Sequence, residues 1–166
     1  MMNGLIHCWC YLYMFCLRNL LVVLVASLIS VVALADPLSQ TKHQRIMGLA
    51  AEQGQNSVTV VSIEEANNAL ATMLMVGALN SGVPSGNSGV VRQFFEGKFK
   101  VKVLGVVGDD DALTAATVAR ALEDVKGKAV SDVSLLVVLD DEAQRSRLAA
   151  LAEAAGVRLV LAPPQR

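Results

Sequence analysis

Three apolar runs punctuate the second half of the chain: VLGVVGD (103–109), SLLVVLD (134–140) and VRLVLAP (157–163). They alternate with two Ala- and Leu-rich stretches, Asp111–Val125 and Asp141–Ala155, closed by Gly127 and Gly156. A run that is apolar at every position suits a strand covered on both faces. Strand, helix, strand, helix, strand with short joints is a βαβαβ pattern, which implies parallel strands and right-handed crossovers. Pro163-Pro164 ends the last strand.

Upstream, SVTVV (57–61) is a β-branched run and reads as a further strand. Ser62 with Glu65 three residues later has the form of a capping box, so a helix is expected from about Ile63 to Leu79, stopped by Asn80-Ser81-Gly82. Ser81–Gly89 (SGVPSGNSG) reads as a mobile Gly- and Ser-rich connector. VVRQFF (90–95) and KFKVKVLGVV (98–107) flank Glu96-Gly97, which suggests an antiparallel hairpin. The expected fold is therefore α/β. It is a small three-layer sandwich with a mainly parallel sheet of about four strands and an antiparallel hairpin arm. Residues 36–56 are polar and read as an N-terminal arm in which Gln40–Glu52 could be helical. The domain proper is expected over 57–166.

The first 35 residues differ in kind. Asn19–Ala35 carries no charge, Arg18 precedes it, and Ala33 and Ala35 occupy the small-x-small positions before Asp36-Pro37. This is the pattern of a cleavable export signal, and the chain is expected in the periplasm or outside the cell. The alternative is an uncleaved anchor, since roughly 20 apolar residues can span a bilayer. Cys8, Cys10, Cys16, Trp9, Tyr11 and Tyr13 all lie before Arg18, and Met14 opens a signal of ordinary length. Translation from Met14 would leave 1–13 as a start-site artefact.

Beyond the signal the chain has neither Cys, Trp nor Tyr, and His43 is its one histidine. Cysteine nucleophiles, CxxC redox chemistry and zinc sites built on several His or Cys ligands are excluded there. A Ser-His-Asp system would have to rest on His43, and no G-x-S-x-G is present. Arg18 is the one basic residue before Asp36, so 13 Lys and Arg remain against 15 Asp and Glu. Without a basic patch, a nucleic-acid partner is not expected. No cofactor is expected. The residues carry no motif that assigns a family.

Two acidic clusters, Asp109-Asp110-Asp111 and Asp140-Asp141-Glu142, fall where an apolar run gives way to a helix. Carboxyl ends of parallel strands form the ligand crevice of open α/β sheets. Asp109, Asp110, Asp140 and Asp141 are therefore the candidate ligand-binding residues, with Mg²⁺ or Ca²⁺ as the hard cations that prefer such oxygens. Helix capping explains the same residues without a ligand. Gly82, Gly86 and Gly89 fit neither a P-loop nor a dinucleotide fingerprint and belong to a connector that could face a partner. Phe94 and Phe95, adjacent in a strand, would face opposite ways, so that one could anchor a partner, although the core accommodates both. Ser39-x-x-Lys42 with Ser85-x-Asn87 matches a penicillin-binding pattern by coincidence, for no Lys-Thr-Gly follows.

Two functions are expected. The first is an exported non-enzymatic accessory module that binds a protein partner or a small ligand. The second is a small hydrolase or phosphotransfer enzyme whose divalent metal is held by the four aspartates and activates water in place of a histidine.

Overall fold

The computed structural model describes residues 41–165. The export signal, the Met14 start and Ser39 lie outside the described residues. Four strands form one sheet: β1 (Thr59–Ile63), β2 (Val103–Gly108), β3 (Ser134–Val137) and β4 (Arg158–Leu161). They lie in the order β1-β2-β3-β4, and every neighbouring pair is parallel. The helices are α1 (Lys42–Glu52), α2 (Ala69–Asn80), α3 (Gly86–Phe95), α4 (Asp111–Val125) and α5 (Glu142–Ala155). The fold is α/β, and the βαβαβ reading of the second half holds.

Alternation along the strands divides the apolar residues between two clusters. Leu104, Val106, Leu135 and Val137 pack with Val118, Leu122, Phe95 and Leu148 from α3, α4 and α5. Val103, Val107, Leu136 and Val138, which alternate with them, pack with Ile46, Leu49 and Ala50 of α1. Successive residues of a strand face opposite ways, so α1 covers the sheet face that α3, α4 and α5 leave free. Residues 42–52, read from sequence as part of an arm ahead of the domain, thus supply a packed helix. Gly105 is what lets it seat: a Cβ there would lie 2.7 Å from Cγ2 of Ile46.

The central helix is α4, with ten of its 15 residues buried. It packs on β2, α3 and α5, and α2 packs on it as well. One run of small or β-branched residues (Ala115-Ala116-Thr117-Val118-Ala119) lets it take neighbours on several sides.

Three local expectations are corrected. The hairpin at Glu96-Gly97 does not form. Ser88, Val91, Phe94 and Phe95 are the buried residues of helix α3, at the i, i+3, i+6, i+7 spacing of a helical face. Gly97 at φ 73° ends that helix. The Gly97 amide donates to Phe94 O and the Lys98 amide to Gln93 O, each at 3.0 Å. This is a Schellman closure. A glycine with positive φ serves that closure as well as it serves a hairpin turn. Phe94 and Phe95 are consequently both buried in the core, at 6% and 0% exposure, instead of facing opposite ways from a strand. Residues Lys98–Lys102, expected within the hairpin's second strand, precede β2 instead of extending it, and Phe99 lays its ring on Phe94 with centroids 4.5 Å apart.

The helix expected from Ile63 starts at Ala69. Ser62 and Ile63 belong to β1, and Asn68 is the N-cap, its side chain accepting from the Ala71 amide at 2.9 Å. The strand's pairing with β2 outlasts the capping signal of Ser62 and Glu65. The connector Ser81–Gly89 is structured in its second half. Ser85 caps α3 reciprocally with Ser88: the Ser88 amide donates to Ser85 Oγ at 3.1 Å, and the Ser85 amide donates to Ser88 Oγ at 2.9 Å. Gly86 and Gly89 are thereby first-turn helix residues, and only Gly82, at φ 95°, serves a turn.

Candidate functional site

The two acidic clusters do meet at the carboxyl ends of β2 and β3, but the carboxylates of Asp110, Asp111, Asp140 and Asp141 are committed to the protein itself. Asp110 is the N-cap of α4; its carboxylate accepts from the Leu113 amide at 2.6 Å, and its carbonyl accepts from Thr114 Oγ1 at 2.7 Å. Asp141 is the N-cap of α5, accepting from the amides of Ala143 and Gln144 at 2.8 and 3.2 Å. Free amides at a helix start favour an acidic cap.

Asp111 turns back across the strand ends. Its Oδ2 accepts from the amides of Asp140 and Asp141 at 2.6 and 2.9 Å. Its Oδ1 lies 2.6 Å from Nζ of Lys42, which also donates to Gly108 O at 2.8 Å and Asp109 O at 3.0 Å. One ammonium therefore holds three oxygens at the end of β2. Asp140 takes the other cation of α1: its two oxygens lie 2.9 and 3.2 Å from the Arg45 guanidinium, and Oδ1 also accepts from the Gln165 amide at 3.1 Å. Arg45 donates further to the Pro163 carbonyl. Its side chain is 7% exposed, so this ion pair has one desolvated partner.

These contacts set the acidity. Burial by itself would raise the Asp111 pKa, but the Lys42 hydrogen bond and the Asp141 and Asp140 amides hold it below the ordinary aspartate value. Burial likewise opposes ionisation of Asp140, and the Arg45 hydrogen bond, the Gln165 amide and the charges of Arg45 and Lys42 outweigh it. Both groups are anions already neutralised by cations of α1.

Of the four aspartates expected to bind a ligand, Asp110 and Asp141 are caps, Asp140 is an ion-pair partner and Asp109 is exposed on the loop. Among the described residues, no three His, Cys, Asp or Glu are grouped so as to hold a metal ion. Topology points the same way. Ligand crevices of open parallel sheets form where the strand order reverses, and the order β1-β2-β3-β4 has no reversal. The residues that organise this end, Lys42 and Arg45, were missed in the sequence. Their signal was two cations three positions apart beside Ile46 and Leu49 on one short helix.

Two grooves lie among the described residues. A groove of about 250 Å³ lies between α1 and the segment after β4, lined by Arg45, Leu49, Glu52, Pro163 and Gln165. Another of about 270 Å³ lies along β4 beside Ala149, Glu153 and Leu159. Both fall below the ~300–1,000 Å³ usual for small-molecule sites.

The convex surface is more informative. Helix α2, ALATMLMVGALN, has no charged residue and is apolar on both sides. Thr72 and Leu79 are buried beneath it, while Leu70, Met73 and Leu74 are 67%, 70% and 66% exposed on its outer side. A helix apolar all round is normally covered all round. At its far end Asn80 Oδ1 accepts from Arg147 of α5 at 3.0 Å.

No protein-family model, curated protein or solved structure matches the chain.

Proposed function

We propose that this chain is an exported, non-enzymatic module of the periplasm or cell exterior that works by contact with another protein, through the outer face of α2. The single observation that carries the reading is the row of large apolar side chains on an uncharged helix, Leu70, Met73 and Leu74, each about two-thirds exposed. Exposed apolar surface of that kind is costly to keep in water and marks interaction sites. Methionine adds adaptability, because its unbranched, polarizable side chain conforms to varied partners. The frame beneath is read as a small three-layer sandwich, with α1 on one side of the sheet and α3, α4 and α5 on the other. The uncharged leader Asn19–Ala35 supports export.

A small-ligand role at the strand ends has less support, since Lys42 and Arg45 already neutralise Asp111 and Asp140. The test is affinity capture from the compartment that receives the protein, comparing wild type, the pair Met73→Glu/Leu74→Glu, and Asp109→Asn. The expected result is a retained protein that the α2 pair loses and Asp109→Asn keeps. Retention that depends on Asp109, or stabilisation by millimolar Mg²⁺, Ca²⁺ or Mn²⁺ in a thermal melt, would overturn the reading in favour of a ligand site.

A further inference from the structure

Resting on the reading of α2 as a contact surface, we infer that its occupant is a second copy of this chain, packed α2 against α2 in antiparallel about a two-fold axis. The exposed side of the helix is made of Leu70, Met73, Leu74 and Gly77. These are spaced i, i+3, i+4, i+7, the stripe that forms a helix–helix seam. In an isologous pairing, residue i meets j while j meets i. Setting Leu70 against Gly77 of the other copy also sets Met73 against Leu74. Each large side chain at one end then enters the space left by a glycine at the other. Nothing lies within 4 Å of where a Gly77 Cβ would be, so that space is open in the single chain.

Charge favours the same orientation over a parallel one. The seam carries no charge, so two copies do not repel through it. Ahead of α2 stand Glu64 and Glu65, both exposed; at its far end stands Arg147, exposed and hydrogen-bonded to Asn80. None of these three forms an ion pair among the described residues. Antiparallel pairing brings the acidic end of each copy to the basic end of the other, whereas parallel pairing would stack like on like. A lipid surface is the poorer fit, because helices that lie on membranes carry Lys and Arg on their polar side, and α2 is flanked on one end by glutamates.

A 12-residue helix is about 18 Å long, so the seam by itself is short of the roughly 800 Å² per partner of a standard interface. The pairing is accordingly reversible and concentration-dependent. Sedimentation equilibrium of the purified protein tests it. A monomer–dimer equilibrium is expected in the micromolar range, weakened at least tenfold by Leu74→Glu and by Gly77→Leu, placed where an added Cβ meets nothing within 4 Å in one chain. Arg147→Glu is expected to weaken it about threefold, and Glu64→Lys/Glu65→Lys in that background to restore it. Circular dichroism identical to wild type shows that the variants fold. A monomer at every concentration up to the millimolar range overturns the inference, as does a dimer indifferent to Leu74 and Gly77, or flotation of the wild type alone with neutral phosphatidylcholine vesicles. If another protein is still captured in a manner dependent on Met73 and Leu74, only the inference falls; if neither self-association nor capture depends on them, the contact-surface reading falls too.

Discussion

Lys42 and Asp111 stand 69 residues apart in the chain and meet at 2.6 Å, and with that contact the first helix is fastened to the start of the fourth. Asp111 also bonds the amides of Asp140 and Asp141, so one carboxylate ties α1, α4 and the start of α5 together. Asp111→Ala is expected to cost about 2 kcal/mol, because it strands a partly buried ammonium and two amides. Lys42→Met leaves those two amides satisfied and is expected to cost about half as much. Urea denaturation of both single variants and the double variant checks this. The double variant should be less destabilised than the sum of the singles, since neither partner is then left behind.

Acid sensitivity follows from the same two carboxylates. Asp111 and Asp140 titrate below their ordinary value in the folded protein, whereas in the unfolded chain they return to about 3.9. A group whose pKa is depressed on folding contributes stability that is complete above the unfolded value. That contribution is lost as pH falls through the lower, folded value. The melting temperature should therefore be insensitive to these two groups near neutrality and decline below about pH 4. Melts of Asp111→Asn and Asp140→Asn across that range should start lower and show a shallower acid limb.

Two glycines of β2 face crowded surroundings of different kinds. At Gly105 a Cβ would press on the tip of Ile46 at 2.7 Å, and at Gly108 it would run into Thr114 Oγ1 and meet the Ile63 backbone oxygen at 3.0 Å. Gly105→Ala is expected to cost about 1–2 kcal/mol and to loosen α1, since a side-chain tip can yield. Gly108→Ala is expected to cost more, about 2–3 kcal/mol, because the backbone of β1 cannot. Chemical denaturation ranks them, and amide exchange should show faster opening of 42–52 in Gly105→Ala alone.

The acidic clusters separate into caps and a free residue. Asp110→Ala and Asp141→Ala should each cost about 1 kcal/mol as lost N-caps. Asp109→Ala, at an exposed position, should stay within ~0.5 kcal/mol of wild type. Thermal melts distinguish them.

The second half of the fold was legible because its signals agree. Apolar runs, acidic caps and terminal glycines all mark the same boundaries around β2, α4, β3, α5 and β4. The first half was not, because its signals conflict. Val90, Val91, Phe94 and Phe95 have the composition of a strand but the spacing of a helical face, and Glu96-Gly97 suits either a hairpin or a helix end. Ser62 caps well in isolation, yet it pairs with Val107 in the sheet. The candidate site was legible as a place and not as a chemistry. Where the aspartates cluster followed from strand ends. That Lys42 and Arg45 would reach them depended on α1 lying across β2 and β3, a long-range packing that no local pattern encodes.

Arg45 finds its partners 95 residues later, at Asp140, and 118 residues later, at Pro163. A ribosome that has delivered the first helix must therefore make nearly the whole remaining polypeptide before that guanidinium can be neutralised. Until then, α1 has no completed sheet surface to lie on, and the emerging molecule stays open.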